Sequence, residues 1–206
     1  MLRRHLAGRD ITDRRVLAAM RAVPREAFVP DHLQAHAYDD GPLPIGYDQT
    51  ISQPYIVALM TQEARLTRRA RVLDVGTGSG YQAAILARLA HHVWSIERVA
   101  ALSSAAGRRL HGLGIDNVTL IVGDGAHGYT DAGPYDAIVV AAASPGIPRP
   151  LVAQLAVGGR LVIPVGDRAL QDLTVLEHTP TGYRTTRAGA CRFVPLVSEE
   201  AFGERW

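Results

Sequence analysis

The chain has 206 residues, 47% apolar and 20% charged, with 22 basic side chains against 20 acidic ones and a formal net charge of +2. That balance describes one soluble domain with a sizeable core, excludes a disordered or fibrous chain, and leaves no electrostatic footprint for nucleic acid because the basic residues are spread among the acidic ones. All the basic residues are Arg, so a P-loop lysine, Schiff-base chemistry and a Ser-x-x-Lys nucleophile are excluded before any motif is sought.

At the N-terminus, Met1-Leu2-Arg3-Arg4-His5 lacks the apolar core of a signal peptide, and apolar stretches elsewhere are broken well before 18 residues. The expectation is a cytoplasmic protein without a membrane span. The single cysteine, Cys191, allows no intrachain disulfide and reads as an inert packed thiol.

In chain order, Val16, Leu17, Met20 and Val23 fall at helical spacing, with Asp10 and Asp13 three residues later able together to cap the start and Pro24 to stop it. From Tyr38 to Ser52 the run Asp39-Asp40-Gly41-Pro42-Leu43-Pro44-Ile45-Gly46 is too rich in Pro and Gly for regular structure and predicts a long ordered loop or lid. Pro54 suits the first turn of a helix whose positions Ile56, Val57, Met60 and Ala64 share one face.

Five short apolar runs follow, Val72 to Val75, Val93 to Ile96, Val118 to Val122, Ala137 to Ala141 and Leu161 to Pro164, each expected to lead into a helical segment. Continuous Val/Ile/Leu runs are the mark of parallel strands buried on both faces, so the alternation predicts a doubly wound α/β sheet. Further on, Leu173 to Leu176 and Cys191 to Val194, separated by Thr179-Pro180-Thr181-Gly182, predict a hairpin-like pair at the sheet edge. The expected organisation is a single domain: residues 1–53 as an N-terminal helix and substrate-side loop, 54–170 as a cofactor-binding core, and 171–206 as C-terminal strands and tail.

The strongest local signal is Asp74-Val75-Gly76-Thr77-Gly78-Ser79-Gly80, a buried strand entering a glycine turn, with a helix predicted over Gln82 to Leu89. A cofactor at the strand's carboxyl end is the expectation. The dinucleotide fingerprint needs its third Gly where this chain has Tyr81, which disfavours NAD. Ile96-Glu97 ends the second strand, where a carboxylate can accept both ribose hydroxyls of an adenosine or can begin a helix. Asp124-Gly125 ends the third, where Asp could accept from an adenine amino group or form an ordinary Asp-Gly turn. In order and at strand ends, these features point to an adenosine-bearing cofactor without a pyrophosphate, a description that S-adenosyl-L-methionine fits. Asp74 would sit close enough to influence that cofactor's cationic end, or would bond the loop backbone.

The residues Ala22-Val23-Pro24-Arg25-Glu26-Ala27-Phe28-Val29-Pro30, Leu43-Pro44-Ile45-Gly46, Gln49-Thr50-Ile51-Ser52-Gln53-Pro54, the glycine loop, and Arg192-Phe193-Val194-Pro195-Leu196-Val197 resemble the protein-L-isoaspartate O-methyltransferase family. The Thr-Ile-Ser-x-Pro segment discriminates it from other methyltransferases that share the glycine loop. The resemblance implies a Rossmann-like methyltransferase sheet and methyl transfer from S-adenosyl-L-methionine, with S-adenosyl-L-homocysteine as product, to the carboxylates of L-isoaspartyl and D-aspartyl residues in damaged proteins. It implies Ser52 as the active-site serine. Cofactor contacts map to Thr50, Ile51, Asp74, Gly76, Thr77, Gly78, Ser79, Gly80, Glu97, Asp124 and Gly125. Where the family commonly has Gly before the Gln-Thr-Ile-Ser run, this chain has Asp48, which tolerates left-handed backbone better than most residues.

A carboxylate is already ionised at neutral pH, so this chemistry needs no general base, and the candidate site offers no His, Cys or Lys. Ser52 could hold the acceptor carboxylate together with amides of the following helix, or merely cap that helix. The small residues Ala141 to Pro145 leave room for a peptide backbone or pack tightly, and Ser144-Pro145-Gly146 does not match the pattern of enzymes that methylate base amines. Neither a zinc motif nor a Gly-x-Ser-x-Gly elbow is present in the sequence. Expected partners are peptides or proteins containing isoaspartyl residues, with no nucleic acid, no membrane and no metal, and the expected state is a monomer. Two competing readings are an O-methyltransferase of the same fold acting on a small-molecule carboxylate or hydroxyl, and a cofactor-binding sensor without turnover.

Overall fold

A computed structural model describes residues 1–198 and 201–202, apart from the side chains of Arg3 and Arg4; the rest of the expected C-terminal tail lies outside the described residues. After a π-helical turn at Leu2–Ala7, helix α1 (Arg14–Ala22) begins at Asp13, whose carboxylate accepts the Arg15 amide and so satisfies one of the unpaired donors of the first turn. Asp10 instead accepts from the Tyr55 hydroxyl. Two 3-10 segments follow, Arg25–Phe28 and Asp31–His36.

Residues 38–52 depart from the expected loop. Strands β1 (Leu43–Gly46) and β2 (Gln49–Ile51) pair antiparallel, Leu43 opposite Ile51 and Gly46 opposite Gln49. The two residues between them, Tyr47 and Asp48, both have φ of 55°, the arrangement of a type I′ turn, whose twist matches that of paired strands. Pro44 is tolerated because a two-stranded ribbon leaves half its amides unpaired. The backbone at Asp48, where the family pattern prefers Gly, is left-handed, a conformation that Asp adopts more readily than most residues.

Helix α2 (Pro54–Glu63) has Pro at its first position but buries residues all round, including Ala58, Leu59 and Thr61 beside the expected face. It is a core helix packed between α1 and α3 (Tyr81–Ala87). The seven-stranded sheet has the order β5-β4-β3-β6-β7-β8-β9, with β3 (Arg71–Val75), β4 (His92–Glu97), β5 (Val118–Val122), β6 (Tyr135–Val140) and β7 (Leu155–Gly166) parallel, and β8 (Gln171–Thr179) and β9 (Gly182–Cys191) antiparallel additions. All five predicted core strands are present. The hairpin pair differs from expectation: its second strand is Gly182–Cys191, a polar edge strand exposed along most of its length, and Cys191 ends it rather than begins it. An edge strand solvated on both faces along most of its length carries no apolar run to read.

Alternate residues face opposite ways along each strand. Val72, Val93, Val139 and Val162 meet the core under α1, α2 and α3; Leu73, Val75, Ile138, Val140 and Leu161 meet the second core, which is covered by the short helix α5 (Arg149–Ala153). Helix α4 (Ala100–Gly112) follows β4 and packs on β4 and β5. After β5 the expected helix is replaced by 3-10 turns at Gly125–His127 and Thr130–Ala132, in a stretch punctuated by Gly128, Gly133 and Pro134. Among the described residues no helix is long and apolar enough to cross a membrane. Because the chain leaves β3 for β4 and β5 on one side and returns to β6 on the other, a crevice opens outside the carboxyl ends of β3 and β6, the place where doubly wound sheets bind ligands.

Candidate active site

A cavity open to solvent occupies that crevice. One wall is the glycine loop. The Gly76 and Thr77 amides both donate to the Ile96 carbonyl at 2.9 and 3.2 Å, clamping the loop to the end of β4. Gly78 takes φ of +52°, and its amide donates to Glu97 Oε2 at 2.8 Å. Gly80, at φ +92°, starts α3 where a Cβ would approach Ala106 to 3.1 Å, so both conformation and space require glycine there.

Glu97 is buried, and its other oxygen accepts the Val99 amide at 2.9 Å. It does not begin the next helix, which starts at Ala100 behind Val99 without a side-chain cap bond, and each carboxylate oxygen keeps a lone pair for a ligand. Asp124 caps the 3-10 turn through the Ala126 amide at 2.9 Å and accepts the Ser198 hydroxyl at 2.6 Å. A Cβ on Gly125 would lie 2.4 Å from Val75 Cγ1, so only glycine lets this turn press on the strand. Two acceptor carboxylates at the ends of adjacent strands, apolar Val75, Ile96 and Leu196 between them, and a main-chain cradle fit an adenosine-bearing group without a pyrophosphate.

The opposite wall is the β1–β2 hairpin and the start of α2. Ile45 Cδ1 lies 3.4 Å from where a Gly78 Cβ would be, so the hairpin rests on the glycine loop. Thr50, Ile51 and Ser52 line the cavity with Gly76, Thr77, Gly78, Ser79, Glu97, Asp124 and Gly125; ten of the twelve candidate residues are thereby brought together. Asp74 and Gly80 are not on its surface. Gly80 is the cap of α3. Asp74 is fully buried behind the loop and bonds neither loop backbone nor a cation: its Oδ2 accepts the Ser95 hydroxyl at 2.7 Å, and Ser95 Oγ in turn lies 2.6 Å from Thr77 Oγ1. Burial, with the like charge of Glu97 adding to it, pushes the Asp74 carboxyl up to about 7.

Ser52 does not cap α2. The cap residue is Gln53, with no side-chain cap bond, so the Ser52 hydroxyl is not committed to the helix.

The sequence profile of the protein-L-isoaspartate(D-aspartate) O-methyltransferase family matches residues 1–201. The chain is 56% identical over 194 residues to a protein-L-isoaspartate O-methyltransferase of Methanoregula boonei, covering 94% of this chain and 89% of the relative. It is 53% identical to one of Syntrophobacter fumaroxidans, covering 97% and 93%. Among solved structures, a Plasmodium falciparum protein described as a protein-L-isoaspartate O-methyltransferase, in complex with S-adenosyl-L-homocysteine, superposes with a TM-score of 0.82 at 28% identity, covering 95% of this chain and 96% of that one. The chain belongs to this family.

Arg25 is what reading by motif and period missed in this isoaspartate methyltransferase. It is fully buried, and among the described residues no carboxylate forms an ion pair with it. Its Nε donates to the Ala37 carbonyl at 2.7 Å, its Nη2 donates to the Ser52 carbonyl at 2.8 Å, and its guanidinium lies 4.9 Å from the Tyr81 ring centroid. Desolvation lowers its pKa to about 10, still well above neutrality, so the side chain stays charged. One Arg therefore ties the Ser52 segment to the residue that follows the glycine loop, fixing the two cavity walls relative to each other. Its position in the Ala22–Pro30 segment of the family resemblance was the available signal. The cavity's remaining rim comes from Ala141, Ala142 and the stretch Val194 to Val197. That stretch is pinned by the Ala143 amide to the Val194 carbonyl at 2.7 Å and the Leu196 amide to the Ala143 carbonyl at 2.6 Å. Ala143 and Ser144 are buried, so these small residues pack tightly, with Ala141 and Ala142 at the cavity surface.

Proposed function

We propose that the protein transfers a methyl group from S-adenosyl-L-methionine to the free carboxylate of L-isoaspartyl and D-aspartyl residues, with Ser52 holding the acceptor. The observation that carries this reading is the uncommitted Ser52 hydroxyl on a cavity wall facing the glycine loop and Glu97. When bound, S-adenosyl-L-methionine supplies the electrophilic methyl. Glu97 would accept from the ribose hydroxyls, and Asp124 with Gly125 would border the adenine. The main chain of Gly76 to Ser79 would lie along the methionine portion, and Thr50 with Ile51 would close the pocket.

The acceptor is ionised at neutral pH, so the chain has to orient it rather than deprotonate it. Ser52 donates its hydroxyl to one carboxylate oxygen, and the first-turn amides of α2, which lack carbonyl partners within the helix, face the same charge. The second oxygen is then free to meet the methyl at about 3 to 3.5 Å, the near-attack separation. The hairpin excludes water from that line. The methyl ester formed would collapse spontaneously to a succinimide, which hydrolyses in part to normal aspartate. We further read the enzyme as a cytoplasmic monomer that acts on protein and peptide segments without nucleic acid or membrane.

The deciding experiment is transfer of labelled methyl to two peptides differing only in isoaspartyl or normal aspartyl linkage. Base-labile label on the isoaspartyl peptide alone is the expected result. Label on neither, with the cofactor still bound, would move the acceptor to a small molecule.

A further inference from the structure

Asp74 is an ionisable group that the methyl-transfer step does not use. It is wholly enclosed, its Oδ1 has no hydrogen-bond partner, and among the described residues no basic side chain forms an ion pair with it. In register, β6 places Val139 opposite it and β4 places Ser95. The one other ionisable side chain that bears on it is Glu97, a like charge. A carboxylate in such surroundings is expensive to ionise unless positive charge arrives nearby. The cavity wall is connected to it by two hydroxyls in series, Ser95 and Thr77, at 2.7 and 2.6 Å, and Thr77 lines the cavity.

Resting on the co-substrate reading above, we propose that binding of S-adenosyl-L-methionine expels a proton from Asp74 along the Asp74–Ser95–Thr77 relay, so that the site distinguishes the charged co-substrate from its neutral product by net charge. The methionine ammonium and carboxylate are common to both ligands, and the sulfonium is the difference. With Asp74 protonated, its O–H donates to Ser95 Oγ, the Ser95 O–H donates to Thr77 Oγ1, and the Thr77 O–H points to the cavity. Thr77 gives its proton to cavity water, takes one from Ser95, and Ser95 takes one from Asp74. The ionised state then has Thr77 donating to Ser95 and Ser95 donating to Asp74 Oδ2, with both hydroxyls restored and reversed. The carboxylate and the sulfonium stabilise each other through the loop. After transfer the thioether no longer compensates the buried charge, Asp74 recovers a proton, and the product loses that advantage.

The sign follows from the raised carboxyl, which burial holds at about 7. Below that pH the protonated form dominates in the free enzyme, so affinity for S-adenosyl-L-methionine falls as pH drops, by up to about tenfold per unit, while affinity for S-adenosyl-L-homocysteine stays flat.

The test is calorimetric titration of the whole protein with each ligand separately, between about pH 6 and about pH 8, in buffers of different ionisation enthalpy that count protons. Expected are a release of roughly half a proton for S-adenosyl-L-methionine near pH 7 that rises toward one near pH 6, no such release for S-adenosyl-L-homocysteine, and loss of the difference in Asp74→Asn. Equal proton counts for the two ligands in the wild type, or an undiminished difference in Asp74→Asn, overturn the proposal while leaving cofactor binding intact. Should Asp74→Asn fail to fold, Ser95→Ala removes the bond that favours the ionised carboxyl and should move the release to higher pH; an unmoved window overturns the proposal equally. Failure of either ligand to bind the wild type would remove the co-substrate reading and this proposal with it.

Discussion

The two walls of the cavity are held in different ways. The glycine-loop wall grows from the ends of β3, β4 and β5, and its bonds continue the parallel ladder, with Asp74 opposite Ser95, Val75 opposite Ile96 and Glu97 opposite Val122. The Ser52 wall is a hairpin of four and three residues paired only with itself. It is fastened by Arg25 to the Ser52 and Ala37 carbonyls and by Gln53 Nε2 to the Asp40 carbonyl. The first wall inherits its rigidity from the whole sheet, whereas the second depends on a few identifiable bonds. Single substitutions should therefore unhook acceptor binding while leaving cofactor binding in place.

The largest effect is expected from Arg25→Ala, which strands the Ala37 and Ser52 carbonyls and opens a void. Each orphaned acceptor and the void add to a loss of about 3 to 5 kcal/mol, readable by chemical denaturation. Arg25→Lys keeps the charge but cannot reproduce the two-pronged donation. Its kcat/KM for an isoaspartyl peptide should fall by more than about tenfold with affinity for S-adenosyl-L-homocysteine within about threefold. Equal losses on both sides would show that the walls form one unit.

Asp74→Asn addresses the other wall, and its sign is opposite. The folded carboxyl titrates near 7 against an ordinary 3.8, so between those values the folded state keeps a proton that the unfolded chain has released. Stability falls as pH rises through that window, by up to roughly 4 kcal/mol. The amide escapes this cost. The variant should therefore be more stable than wild type at about pH 8 and indistinguishable from it near pH 4. Thermal unfolding across pH checks it, and a variant destabilised at every pH would mean that Asp74 is already ionised in the free enzyme.

The same division governs what could be read from the chain. Strands β3, β4, β6 and β7 announce themselves because burial on both faces demands apolar runs, whereas β5, at the sheet edge and partly exposed, shows its run without that constraint. Glu97 and Asp124 are legible because they end two of those strands in order. β9 is hidden, since Tyr183 to Thr186 are exposed on both faces and carry no hydrophobic signal. The hairpin is hidden for another reason: its pairing rests on Tyr47 and Asp48 turning left-handed, while its Pro and Gly content reads as loop. Arg25 is one Arg among 22 basic residues, and its meaning comes from two carbonyls brought to it from residues 37 and 52, a non-local fact outside the reach of any periodicity.

Ser52→Ala should have a smaller effect. A hydrogen bond to a charged acceptor contributes about 1.5 to 3 kcal/mol, which corresponds to roughly 10- to 100-fold in kcat/KM. With no helix cap to lose, unfolding should change little and affinity for S-adenosyl-L-homocysteine should be unaltered. An unchanged rate would take Ser52 out of the acceptor site.

Asp48→Gly carries the least change and sharpens the comparison at its finest point. At φ of 55° an ordinary side chain costs about 1 to 2 kcal/mol, and Asp less than that. Glycine removes the strain but adds conformational freedom to the unfolded chain worth about 0.4 to 1 kcal/mol. The two nearly cancel, so the melting midpoint should move by no more than the equivalent of about 1 kcal/mol. Asp48 lies at the hairpin tip and does not line the cavity, so KM for an isoaspartyl peptide should stay within about twofold. A tenfold change, in the absence of any change in stability, would instead extend the acceptor wall to the turn itself. Asp48, a carboxylate where the family pattern prefers Gly, would then act on the peptide through its charge rather than its backbone, and peptides differing in net charge beside the isoaspartyl residue would separate the two.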